Sequence, residues 1–139
     1  RSMTADQIVA AARGWLKAPF LHQGRGRAGI DCAGLVIVVC RELGVVPQDC
    51  DVTGYTRQPD GSMPDVCDAH LIRCPAQAGG VFTMRYYGEA QHMGFFTPYR
   101  HGGLAVIHAV ASAGKVVEHR LDAVWRKRIV RTYKIPGAD

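Results

Sequence analysis

Five cysteines and six histidines are the side chains in this chain best suited to chemistry near neutral pH. The cysteines, Cys32, Cys40, Cys50, Cys67 and Cys74, are odd in number and include no C-x-x-C pair. That spacing fits neither a paired disulfide framework nor a zinc site, so at least one free thiol and no metal are expected. Cys32 differs from the others in position. It follows Asp31 and leads into the apolar run Ala33 to Cys40, which reads as the start of a buried helix. Unpaired backbone N–H groups and the helix dipole favour an anion there, so a thiolate nucleophile is expected at Cys32. Cys40 falls mid-helix, and Cys50, Cys67 and Cys74 lie in or near a polar stretch, where packing or surface roles are expected.

A nucleophilic thiol needs a base within hydrogen-bond reach and a further polar group to orient that base. The candidates are His22, His70, His92, His101, His108 and His119. His92 lies between Gln91 and Met93-Gly94-Phe95-Phe96, and His108 between Val106-Ile107 and Ala109-Val110. Two polar residues in neighbouring apolar strands can face each other. A lone histidine in a strand is more often a satisfied core or edge side chain than a catalyst, so spacing leaves both readings open.

The elements that must position these residues follow from pattern. Thr4-Ala5-Asp6-Gln7 has the capping-box form, and Ile8, Ala11, Ala12 and Trp15 recur at helical spacing, predicting a first helix to about Lys17. After the loop Leu21 to Ile30, Asp31 is read as the N-cap of a second helix over Cys32 to Leu43, closed by Gly44. Val45 to Met63 reads as a long polar excursion and Pro64 to Arg73 as one short helix. From Gly80 the period changes: Val81 to Tyr86, Gln91 to Thr97, Leu104 to Val110, Val116 to Leu121 and Ile129 to Lys134 read as sequential antiparallel strands. The expected fold class is α+β, with N-terminal helices packed on an antiparallel sheet of about five strands.

At 139 residues a single domain over 1–139 is expected, large enough to bury about two-thirds of its unfolded surface. Composition, 47% hydrophobic and 21% charged, argues against disorder, and the longest apolar run is far short of the ~20 residues of a membrane span. A net charge of +5 favours acidic partners. The basic residues are scattered except at Arg25/Arg27 and Arg126 to Arg128, without any nucleic-acid-binding pattern, so no nucleic-acid partner is expected. No apolar leader is seen and Arg1-Ser2 reads as a cloning scar, so synthesis in a reducing bacterial cytoplasm without a signal peptide is expected.

Pro19-Phe20-Leu21-His22-Gln23-Gly24 followed by Gly29-Ile30-Asp31-Cys32-Ala33-Gly34-Leu35-Val36 resembles the nucleophile segment of the NlpC/P60 cysteine peptidases, whose hallmark is D-C-[SA]-G-[LF]-[VI]. Gln91-His92-Met93-Gly94-Phe95-Phe96 resembles that family's strand bearing the general base, and Val106-Ile107-His108-Ala109 its third-residue strand. The resemblance implies a papain-like fold and a catalytic triad of Cys32, His92 and His108, with no cofactor. It implies a peptidoglycan stem peptide as substrate, cut between D-glutamate and the following diamino acid. Where the family commonly has Tyr-x-Trp-Gly-Gly, this chain has Phe20, His22 and Gln23 at the Tyr, Trp and first Gly, and Ala78-Gly79-Gly80 replaces a frequent Pro-Gly-Asp turn. His-Gln-Gly-Arg at 22–25 and Val117-Glu118-His119-Arg120-Leu121 resemble the phage tail and gene-transfer-agent branch, implying carriage on such a particle, with other particle proteins as partners. Arg25 and Arg27, with His22, are the expected substrate-binding residues, since arginine can grip a stem-peptide carboxylate through two parallel hydrogen bonds. The competing classes are a structural tail-assembly protein and an amidase or acyltransferase using the same nucleophile.

Overall fold

Helix α1 (Ala5–Arg13) begins at the capping box: Thr4 Oγ1 accepts from the Gln7 backbone N–H at 3.2 Å, and Gln7 Oε1 accepts from the Thr4 N–H at 2.8 Å. The exchange satisfies donors that a helix start leaves open, while Ile8, Val9 and Ala12 turn into the core. The helix ends before the expected Lys17. Residues 14–17 form turns, Lys17 takes a φ of 71°, and its N–H donates to the Val116 carbonyl at 3.0 Å. A long-range bond to the sheet edge, which helical periodicity cannot register, stops the helix. The computed structural model describes residues 3–49, 51, 67–87 and 89–138.

Within the expected loop, β1 (Arg25–Gly26) and β2 (Gly29–Ile30) form a small antiparallel hairpin ahead of α2 (Cys32–Glu42). Asp31 caps α2 as expected, and Leu35, Val36, Val38 and Val39 are buried, consistent with a helix apolar nearly all round. Cys50 and residues 52–66, which hold most of the expected excursion and the start of the expected helix at Pro64, lie outside the described residues. Residues 67–70 are helical, but Ile72–Arg73 form strand β3, so that helix stops short of Arg73 because its end is drawn into the sheet.

The remaining strands are β4 (Val81–Tyr87), β5 (Glu89–Pro98), β6 (Leu104–Val110), β7 (Lys115–Arg120) and β8 (Ile129–Lys134). Their order, β3-β8-β4-β5-β6-β7, makes a sheet of six strands that is not sequential throughout. β4 to β7 follow one another, but β8 returns to the open edge of β4, with Val81 opposite Tyr133. The return gives β4 a neighbour on both sides and leaves fewer backbone groups unpaired.

The sheet is apolar on both faces. Val81, Met93, Phe95, Ile107 and Val116 pack with Ile8, Ala12, Leu35 and Val39 of the two long helices. Phe82, Met84, Phe96, Val106 and Leu121 form a second cluster with Trp125, carried by the single-turn helix α3 (Ala123–Arg126). Among the described residues no helix is long and apolar enough to cross a membrane.

Candidate active site

The segment before α2 is built around one carboxylate. Asp31 is buried, and its Oδ1 accepts from the Gly34 N–H at 2.8 Å and from Arg25 Nη1 at 3.0 Å. Its Oδ2 accepts from the Gln23 N–H at 2.7 Å, a bond that holds Gln23 at a positive φ of 61°. Arg25 is itself fixed by Asp51 at 2.9 Å and by the Gly24 carbonyl at 2.9 Å. Gly34 permits this closure, because a Cβ there would run into the Gly24 carbonyl oxygen and lie 3.0 Å from both Arg25 Nη1 and Asp31 Oδ1. The Asp and the Gly of the Asp31-Cys32-Ala33-Gly34 stretch thus lock loop to helix and leave Cys32 between them.

Cys32 is half-buried at the first turn of α2. Burial of the thiol pushes it up to about 12, and the Asp31 carboxylate adds to the rise; backbone N–H groups of Met93, Ala33 and Cys32 oppose it without prevailing. The helix start favours a thiolate, and burial and the Asp31 charge act against it. The residue that caps the helix also places a negative charge beside the sulfur, and together with desolvation it outweighs the helix terminus. The hydrogen bond from Met93 brings the start of α2 against β5, one residue from His92.

His92 and His108 are buried on neighbouring strands and joined Nε2 to Nδ1 at 2.5 Å. His108 Nε2 in turn meets His119 Nε2 at 2.8 Å, and His119 Nδ1 meets the Arg120 carbonyl oxygen at 3.0 Å. The rings sit in an aromatic wall: His108 packs edge-on to Phe82 at 6.0 Å and to Trp125 at 5.2 Å, centroid to centroid. Gly94 makes room, since a Cβ there would stand 2.8 Å from the His108 Cβ. Burial pushes His92 down to about 3, and it pushes His108 down as well, with the neighbouring histidines adding to the effect. Burial thus favours the uncharged form of both rings and of the thiol. An uncharged imidazole in such a row can accept a proton at one ring nitrogen.

The other expected site residues are placed as follows. His22 is half-buried, 3.5 Å from the Gln23 side-chain amide. Arg25 is engaged by Asp31 and Asp51, and Arg27 lies over the Trp15 ring at 3.6 Å and donates to the Gly14 carbonyl at 2.7 Å. Both arginines have partners within the protein. Phe20 packs against the core, as do Cys40 and Cys67, and none of Cys32, Cys40, Cys67 and Cys74 is in a disulfide. His70 is exposed and His101 meets the Tyr99 ring edge-on.

His119 is the residue that sequence reasoning did not bring into the site. With His108 opposite Val117 and Val106 opposite His119, strand alternation puts His119 on the same face as His108, one diagonal step away. The two-residue spacing from Val117 carried that signal, but it becomes readable only once the β6–β7 register is known.

Comparison with known proteins bears on the family and the fold. The sequence matches the model of the NlpC/P60 family over residues 17–134. The fold is similar to the NlpC/p60 domain of the peptidoglycan hydrolase SagA, with TM-score 0.65 and 21% identity, covering 96% of this chain and 100% of that one. An NlpC/P60 family protein from Bacillus cereus gives TM-score 0.70 at 14% identity, covering 97% of this chain but 41% of the longer one. An N-acetylmuramoyl-L-alanine amidase from Bacteroides uniformis gives 0.64 at 11% identity, covering 94% and 98%. No curated protein sequence matches the chain.

Proposed function

Because this chain belongs to the NlpC/P60 family, we propose that it is a cysteine peptidase that hydrolyses peptidoglycan stem peptides, with Cys32 as nucleophile, His92 as general base and His108 as the group orienting that base. The observation that carries the reading is the pairing of buried His92 with His108, directly beside the strand residue whose backbone N–H meets the Cys32 sulfur. Burial favours an uncharged thiol and an uncharged imidazole, so in this reading the proton moves during attack and not before it. The Cys32 proton moves to His92 as sulfur bonds to the amide carbon, and backbone N–H groups at the start of α2 stabilise the oxyanion. His92 then gives the proton to the leaving amine, the thioester forms, and a water deprotonated by His92 releases the acid and restores the thiol.

The bond proposed is that between D-glutamate and the diamino acid of the stem. His22 and Arg27, which keep solvent-facing surface, are the loop residues proposed to meet the substrate, while Arg25 serves by holding Asp31. Resemblance of residues 22–25 and 117–121 to the phage tail and gene-transfer-agent branch supports action at the cell wall from a phage or phage-like particle, in contact with its other proteins.

Digestion of purified peptidoglycan, with mass spectrometry of the released fragments, tests both activity and bond. Fragments ending in D-glutamate are expected from the wild type and none from Cys32→Ala, whose circular dichroism should be unchanged. Turnover by Cys32→Ala within about tenfold of wild type would remove Cys32 from the role of nucleophile.

A further inference from the structure

A base at His92 is useful only if the ring nitrogen that receives the thiol proton is bare, and the pairing of His92 with His108 does not by itself decide which nitrogen that is. The outer end of the histidine row decides it. A carbonyl oxygen only accepts, so the 3.0 Å contact with Arg120 puts hydrogen on His119 Nδ1. In the neutral ring, His119 Nε2 is then an acceptor, and the 2.8 Å contact requires His108 to donate from its Nε2. His108 Nδ1 is left as an acceptor and receives the hydrogen of His92 Nε2. The bare nitrogen of His92 is therefore Nδ1.

Resting on the reading of His92 as the general base, we infer that His119 is a positioning residue, which uses the Arg120 carbonyl to fix the tautomers of all three rings and keep His92 Nδ1 ready to accept a proton. The direction is set from outside the buried pair. Trp125 holds the row in place, its ring 4.8 Å from that of His119 and 5.2 Å from that of His108. His119 is half-exposed and borders a surface depression with Arg13, Tyr99 and Glu118, so the anchor lies at the solvent end of the row and the reacting end is buried. Without an acceptor at position 119, His108 has no partner for hydrogen on Nε2. It then gains by carrying the hydrogen on Nδ1 and donating to His92 Nε2. That reversal leaves His92 protonated on Nδ1, the tautomer unable to take the thiol proton.

The test compares wild type, His119→Leu and His119→Gln at mildly alkaline pH, by ring-nitrogen NMR and by hydrolysis of a stem peptide. The glutamine side-chain oxygen can still accept from His108. Expected are a bare, pyridine-like Nδ1 on His92 in wild type and in His119→Gln, and a protonated one in His119→Leu. With it, kcat for His119→Leu should fall at least about tenfold at nearly unchanged KM, and His119→Gln should recover most of the loss. His119→Phe, which keeps a ring against Trp125, carries the same comparison if the leucine variant does not fold. Protonated Nδ1 on His92 in the wild type, an unchanged His92 in both apolar variants, or an unchanged kcat would each overturn the inference. Retained hydrolysis by Cys32→Ala would instead defeat the underlying reading, and the NMR comparison would still decide what His119 does to the tautomers.

Discussion

The two halves of the site are held by different means. On the side of Cys32, the proposed nucleophile, one buried carboxylate gathers donors from residues 23, 25 and 34, all within a dozen positions of one another. On the histidine side, three rings from β5, β6 and β7 meet through the sheet register and an aromatic wall from α3, and every contact is between rings. The first is a local lock made of charge, and the second a long-range alignment made of packing. A charged lock tolerates no missing partner, whereas a packed alignment can lose a ring and remain folded. The two sides should therefore fail differently.

The largest effect is expected from Asp31→Ala. It removes the acceptor of two backbone N–H groups and of Arg25 together, and loss of a buried ion-pair partner costs about 3–5 kcal/mol. Urea denaturation should show a fall of that order, with Asp31→Asn intermediate because it still caps α2. A loss below about 1 kcal/mol would mean that Asp51 alone holds Arg25 and the lock is not centred on Asp31.

His92→Asn should instead leave the fold largely intact and lower kcat/KM by about 10²–10⁴, the usual worth of proton transfer. His108→Asn should lower it less, since an amide can partly orient the neighbouring ring. The reverse order in hydrolysis of a stem peptide would exchange the two roles.

Stability against pH sharpens the contrast. His92, at about 3, and His108, lower than its ordinary value too, take up protons in the unfolded chain before they do so in the folded one. The unfolded state is favoured progressively as pH falls below the ordinary histidine value of 6.5, by at most about 1.4 kcal/mol per pH unit for each ring. Cys32 and Cys67, both pushed up to about 12, have the opposite limb: their unfolded thiols ionise first, so stability falls as pH rises above 9.0. Denaturation midpoints across pH should show a plateau between these limits, with His92→Asn softening the acid limb and Cys32→Ala the alkaline one. A midpoint that stays flat down to the carboxylate range would contradict the buried neutral pair.

The smallest effect is expected at Arg27. Loss of its contact with the Trp15 ring should cost about 0.5–1 kcal/mol in Arg27→Ala. A rise in KM that vanishes when the substrate carboxylate is amidated would add substrate recognition to that role, and equal KM values on both substrates would leave it structural.

What the sequence determined by itself was local. The T-x-x-Q box, the Asp31 cap and the apolar length of α2 are interactions within a few residues, so their spacing states them directly, and the five longer strands were legible from their alternation or apolar runs. The resemblance of the segments around Cys32, His92 and His108 to a known family pointed to the residues, without saying how they meet. Tertiary structure decided the rest. Helix α1 stops at Arg13 because Lys17 bonds to Val116, and β8 lies beside β4 because that edge was open. Arg25 turns inward because Asp31 and Asp51 converge on it, and the thiol is pushed up because burial and Asp31 outweigh the helix terminus. His119 joins the row because β7 pairs with β6 in one register and not the next, and a one-residue slip would have sent its ring to the opposite face.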